Sequence, residues 1–256
     1  MFARLKKPLK RLERRLNDPA HGGIDTAGGR RRNLLHFHLM DHAFLRVLWT
    51  NFAKVADGVY RSNQPSPGRM GRYKARGIRT VINLRGDQPL SYYLFEREAA
   101  ERLGLTMIDT RLFAKKLPRP ESLIELERIF RRAEKPFVMH CKSGSDRAGF
   151  ASALYLMMIE NRPVEEAARQ LHWRFLHLKT TRTGVLDHFL RCYDRAHRAT
   201  GIGLMDWVRT GYDPRAVTQS FKLWLKDREG WDRDLPLPAP RPAAAPKPAP
   251  LTGPRP

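Results

Sequence analysis

Phe137-Val138-Met139-His140-Cys141-Lys142-Ser143-Gly144-Ser145-Asp146-Arg147-Ala148-Gly149-Phe150 is the stretch from which the rest of the chain can be placed. Pro136 precedes an apolar run, 137–139, which reads as a short buried strand. From Ala148 to Met158 nearly every residue is apolar or small, which reads as a buried helix. Between them lies a tight loop with a cysteine at its start and an arginine at its end. Strand, tight loop, helix is the unit of an α/β sheet, and functional loops of such sheets lie at the carboxyl ends of the strands.

The loop's chemistry follows from its residue types. Free backbone N–H groups and the positive end of a helix dipole stabilise negative charge on the Cys141 sulfur, and His140, Lys142 and Arg147 act in the same direction. N–H groups from 142 to 147 can curl around an anion. Gly144 permits a turn that a Cβ would obstruct. Arg147 offers a planar fork to two phosphoryl oxygens. A thiolate beneath a phosphate so held is arranged for in-line attack on phosphorus. The expected site is therefore Cys141 and Arg147 as catalytic residues, with His140, Lys142, Ser143, Gly144, Ser145 and Asp146 forming the substrate cradle. A buried inert Cys141 with a surface Arg147 is the bland alternative. A thiol site like those of rhodaneses or arsenate reductases is another.

The pattern H-C-x5-R, His140-Cys141 to Arg147, resembles the signature loop of the cysteine-based phosphatases, the protein tyrosine phosphatase superfamily. The spacing and the short chain resemble its dual-specificity branch over roughly residues 55–200. Tyr60-Arg61-Ser62 and Val81-Ile82-Asn83-Leu84-Arg85 also resemble the opening of small bacterial and fungal members. The resemblance implies a metal-independent phosphomonoester hydrolase with a phosphocysteine intermediate and no cofactor. Its substrate would be a phosphoprotein or an anionic phospholipid or inositol phosphate. A phosphate-binding scaffold of the same fold, without turnover, is the alternative. Asp109 follows a predicted strand, at the sheet edge expected for Cys141, and its distance before Cys141 resembles that of the family's mobile acid loop. It is the expected general acid. Asp146 is its rival, because myotubularin-type lipid phosphatases carry an Asp at the same place in the loop. Ala148 departs from the family, where a Ser or Thr hydroxyl usually follows the arginine; Ser143 or Ser145 is then the candidate substitute. Lys142, with Lys115, Lys116 and Arg119, suggests a strongly anionic substrate.

The chain has 256 residues and a formal charge of +22, from 48 Lys and Arg against 26 Asp and Glu. That field favours anionic partners. With no zinc spacing or RNA-binding motif, nucleic acid is not the expected one. The only cysteines are Cys141 and Cys192; Cys192 reads as packing, and a reducing compartment is expected. No apolar run of about 18 residues is present. Cytoplasm is the expected location, with peripheral membrane contact through the N-terminus.

Four segments are expected. Residues 1–33 form a basic arm, amphipathic over 1–16 and suited to an anionic membrane surface, with a flexible link over 20–32. Residues 34–200 form an α/β, dual-specificity-phosphatase-like domain with a mainly parallel sheet flanked by helices. Residues 201–231 form a helical extension whose aromatics read as packing. Residues 232–256 are a Pro/Ala-rich tail expected to be disordered. Within the domain the pattern predicts a helix over 41–53, a hairpin around Asp57-Gly58, strands over 80–84 and 105–108, and helices over 68–75, 91–103, 120–134, 147–160, 163–175, 183–198 and 214–228. His36, His38 and His42 lack the further ligands of a metal site.

Overall fold

A computed structural model describes residues 23–41, 46 and 49–226. The arm expected over 1–16 and the tail over 232–256 lie outside the described residues. Five strands form one sheet in the order β1-β2-β5-β3-β4. They are β1 (Ala53–Ala56), β2 (Val59–Asn63), β3 (Thr80–Asn83), β4 (Thr106–Asp109) and β5 (Phe137–Cys141). β1 and β2 form the hairpin at Asp57-Gly58, with Gly58 at φ +69°; all other pairings are parallel. The fold is α/β, with a mostly parallel sheet between helical layers.

Strand alternation decides which side chain meets which layer. Val81 of β3 and Val138 of β5 pack on one face against Met70 and Tyr73 of α2 (Pro67–Ala75) and Ala99 and Ala100 of α3 (Ser91–Leu103). Ile82, Phe137, Met139 and Cys141 point to the other face. There they meet α4 (Pro120–Arg132), whose Leu123, Leu126, Ile129 and Phe130 form one apolar stripe, and α5 (Asp146–Met158), buried from Ala148 onward. β5 is buried at every residue, as its central place requires.

Three expectations need correction. The link predicted over 20–32 runs into α1 (Ala27–Leu35), which takes up its second half. Thr26 caps it, its hydroxyl accepting from Gly29 N at 3.1 Å, and Arg30 fastens it to Glu98 of α3 at 2.7 Å. The helix predicted over 41–53 does not extend over 49–53: Asn51 is left-handed at φ +47°, and Ala53 already belongs to β1. Finally, the helix predicted over 163–175 stops early. It comprises α6 (Val164–Ala168) and a separate short turn, Trp173–Phe175. Beyond α6 the N–H groups of Arg169, Gln170 and Leu171 bond three residues back, and His172 is extended at φ −131°.

The chain closes with α7 (Val185–Thr200), α8 (Leu204–Thr210) and α9 (Pro214–Lys226). Trp207, Tyr212, Phe221 and Trp224 join the same core as Phe150 and Phe189. The Phe189 ring meets those of Phe150, Trp207 and Tyr212 near edge-to-face at 5.0–5.3 Å. Residues 204–210 thus lie against α5, the helix that follows the cysteine loop, and residues 214–226 against α7.

Candidate active site

Cys141 ends β5 and is 1% exposed. Four loop residues later α5 begins, its N-terminus aimed back at the loop. What shapes the loop is where its carbonyls go. Lys142 O accepts from Gln64 N at 3.2 Å, and Ser143 O from Asn51 Nδ2 at 2.9 Å. Gly144 O and Ser145 O accept from Arg61 Nη2 at 2.6 and 3.1 Å. Four consecutive carbonyls are therefore drawn outward. Because N–H and C=O of a peptide unit point oppositely, the N–H groups turn inward. Among the described residues, the N–H groups of Ser143, Gly144, Asp146 and Arg147 meet no acceptor. Gly144 makes this closure possible twice over: its φ is +74°, and a Cβ there would stand 2.7 Å from Asn51 Cβ and 2.8 Å from Asn63 N.

Arg61 is the main clamp. It is fully buried, also donates to Gln170 O at 2.5 Å and Gln170 Oε1 at 3.0 Å, and stacks 3.8 Å from the Phe175 ring centroid. Burial lowers its pKa to about 9, while the negative charges of Cys141 and Asp146 support its protonated form. It is still a cation at neutral pH. Asn51 is the second clamp, bonding Phe175 O at 3.0 Å as well as the loop. Its left-handed backbone is one that Asn tolerates. Sequence reading missed both roles. An arginine among the inward positions of β2 (Val59, Arg61, Asn63) was a signal that it had a buried task. Nothing local marked Asn51.

A polar chain links His140 and Lys142, the neighbours of the cysteine. His140 is buried, with Nε2 2.5 Å from Glu96 Oε1, at an angle poor for a hydrogen bond. Gln64 donates to Glu96 Oε2 at 2.7 Å and accepts from Arg85 at 2.8 Å. Arg85 grips Asp41 at 2.8 Å, and Asp41 lies 3.4 Å from Lys142 Nζ. Burial would raise the Asp41 carboxyl, but Arg85, Arg46 and Lys142 hold it below the usual range. His140 is thus fully buried against Glu96, and Lys142 lies beside Asp41, in a segment that precedes the sheet.

The two acid candidates are placed differently. Asp109 is in register with Asn83, and Asn83 with His140, so Asp109 shares the α3 face and stands two strand spacings, roughly 10 Å, from β5. Both its oxygens are occupied, by Asn83 Nδ2 at 2.8 Å and Tyr93 OH at 2.9 Å. Burial first, then Asp109, pushes the Tyr93 hydroxyl up to about 12. Asp146 opens α5 beside Arg147. Its Oδ1 lies 2.7 Å from His177 Nδ1, and His177 Nε2 lies 2.7 Å from Asp187 Oδ2. Burial would lower His177, but the two carboxylates raise it to about 9. The imidazole is therefore charged at neutral pH.

A family model described as PTP-SAK, the DSP-PTPase phosphatase domain of Swiss Army Knife proteins, matches residues 62–194. The chain belongs to this family. The PTP-SAK match runs from β2 through the cysteine loop into α7. No curated protein matches by sequence. Among solved structures, TpbA of P. aeruginosa is similar at 19% identity, covering 62% of this chain and 89% of that one, with TM-score 0.46. TpbA in complex with pTyr gives 18%, 57%, 90% and 0.43. Tk-PTP in the active form gives 22%, 56%, 97% and 0.45.

The buried imidazolium makes stability depend on pH. The folded pKa of His177, about 9, lies above its ordinary 6.5, so its contribution is complete below about 6.5 and is lost as pH rises through 9. The span amounts to about 3 kcal/mol at most. His188, lowered to about 4 by burial and then by Arg191 and Arg195, acts oppositely, losing its contribution as pH falls from 6.5 to 4. Melting curves of wild type and His177→Gln should therefore differ most below pH 6.5 and converge above pH 9. A difference constant across that range would contradict the charge assigned to His177.

Proposed function

We propose that this phosphatase domain hydrolyses phosphomonoesters through a phosphocysteine, without a metal ion. The reading rests above all on the four outward carbonyls, which leave a ring of N–H groups over a buried cysteine beside Arg147. The Cys141 thiolate attacks phosphorus, and the bond to the leaving oxygen breaks. The inward N–H groups and Arg147 carry the charge on the equatorial oxygens. We assign the leaving group's proton to Asp146 rather than Asp109. Asp146 belongs to the loop, whereas the oxygens of Asp109 are committed to Asn83 and Tyr93. That proton comes from the charged His177, which passes it to Asp146 through Nδ1 and is left neutral, still held by Asp187, with Asp146 ionised. Asp146 then takes a proton from the attacking water, the sulfur–phosphorus bond breaks, and phosphate leaves. The site is open to phosphoprotein and to anionic lipid or inositol phosphates.

The test is phosphate release from an aryl phosphate in the presence of a chelator, with vanadate as inhibitor and rapid acid quench to recover phosphorus on Cys141. Strict metal dependence, or no turnover at all, would sink the reading.

The acid assignment has its own expected outcome. Asp146→Asn should lower kcat/KM for an alkyl phosphate by about 10²–10³ and for an aryl phosphate by under about tenfold, because a good leaving group needs little help. Asp109→Asn should be the milder variant on both. A larger alkyl-phosphate loss in Asp109→Asn would return the role to Asp109.

A further inference from the structure

Beside the cysteine loop lies a cavity of about 420 Å³, within the range of small-molecule pockets. Arg147 forms its wall on the loop side, and Arg85, Arg111, Lys115 and Lys116 stand around the rest, with Phe113 at the rim. No Asp or Glu lines it. Some surface arginines elsewhere are answered by acids: Arg30 by Glu98, Arg79 by Glu134, Arg198 by Asp194 and Glu165. Among the described residues, Arg111, Lys115, Lys116 and Arg147 have no carboxylate partner.

The bowl is partly fixed before anything enters. Arg85 is 8% exposed, held by Asp41 and Gln64, and its guanidinium lies 3.2 Å from the Tyr92 ring centroid. Arg111 and Lys116 both lie over the Phe113 ring, at 5.2 and 5.8 Å. Like charges so gathered repel one another unless an anion sits among them. A lone phosphate at Cys141 uses Arg147 and the loop and leaves the others uncompensated.

We propose that the bowl is a second anion subsite, and that the substrate is a polyol bisphosphate, free or as a lipid headgroup. One phosphate lies over Cys141 and the other among Arg111, Lys115 and Lys116, with Arg147 between them. This rests on the phosphatase reading for the first phosphate. The second phosphate sets selectivity, and the surrounding charge speeds capture in a salt-dependent way.

The test uses full-length Cys141→Ser protein, which binds without turning over. Calorimetry with inositol 1,4-bisphosphate and inositol 1-phosphate should give at least about tenfold tighter binding of the bisphosphate. The triple variant Arg111→Ala, Lys115→Ala, Lys116→Ala alters exposed positions only, and circular dichroism checks its fold. In that background the preference should shrink to under about twofold. Equal binding of the two ligands, or a preference that survives the triple change, overturns the proposal. In protein with Cys141 intact, the ratio of kcat/KM for bisphosphate to that for an aryl phosphate should fall with the same substitutions. Higher turnover of phosphatidylinositol 4-phosphate in vesicles than of soluble inositol 1,4-bisphosphate makes the occupant a headgroup; the reverse makes it a free polyol. Absence of aryl phosphate turnover would refute the hydrolase reading, while the binding comparison would still decide the subsite.

Discussion

Cys141→Ser is expected to abolish phosphate release while leaving the anion site standing. The side chain is 1% exposed at the end of a strand buried throughout, so a near-isosteric hydroxyl fits without a cavity. The loop is shaped by bonds to its carbonyls from Asn51, Arg61 and Gln64, none of which involves the sulfur. A serine hydroxyl stays protonated where a thiol ionises, and it forms the weaker nucleophile. The loss of kcat should be about 10⁴-fold or more. Affinity for a phosphomonoester should survive, so the variant should hold substrate rather than merely fail to act. Measurable turnover within a hundredfold of wild type would remove Cys141 as the nucleophile. Loss of ligand binding together with turnover would mean that the sulfur shapes the loop, contrary to the bonding described above.

Arg61→Met should be the most damaging change away from the cysteine itself. The substitution keeps much of the side chain's bulk against Phe175 but removes donors to Gly144 O, Gln170 O and Ser145 O, of which only Ser145 O keeps another, Gly149 N at 3.0 Å. Each buried carbonyl left without a donor costs about 1–3 kcal/mol, so a loss of about 3–5 kcal/mol in unfolding free energy is expected. Freed carbonyls can also rotate inward, replacing attraction for the phosphate by repulsion; kcat/KM should fall by about 10²–10³ even in molecules that remain folded. Arg61→Lys should fall between, because an ammonium cannot span the loop and Gln170 as the planar fork does. Denaturant titration and steady-state kinetics on the same preparations separate the two effects. Full activity in a folded Arg61→Met protein would refute the clamp.

Much of this was legible in the chain. The apolar run before Cys141, the small and apolar run after Arg147, and Gly104 stopping α3 at φ +60° are local signals, and local signals place strands, loops and helices well. The cysteine, the arginine and Gly144 could be read together because they lie within seven consecutive residues, 141–147. The failures came where a distant group decided the outcome. Helix 163–175 is interrupted between Ala168 and Trp173, the stretch in which Arg61, more than 100 residues earlier, takes the carbonyl of Gln170. Glycines at 22, 23, 28 and 29 read as a flexible link, yet Thr26 caps α1 and Glu98 holds Arg30.

The sequence by itself determined the α/β class, the position of the thiol loop and the excess of positive charge, because each resides in neighbouring residues or in composition. Only the tertiary structure decided which carbonyls turn outward, what each of the two aspartates bonds, and where the unpaired cations gather. Asp109 ends β4 and Asp146 lies in the loop five residues after Cys141, but neither position says what its carboxylate meets. Strand register sends one to the α3 face against Tyr93, while the N-terminus of α5 sets the other between Arg147 and a charged His177. Register and long-range side-chain bonds arise only when the sheet is assembled, and no local pattern contains them.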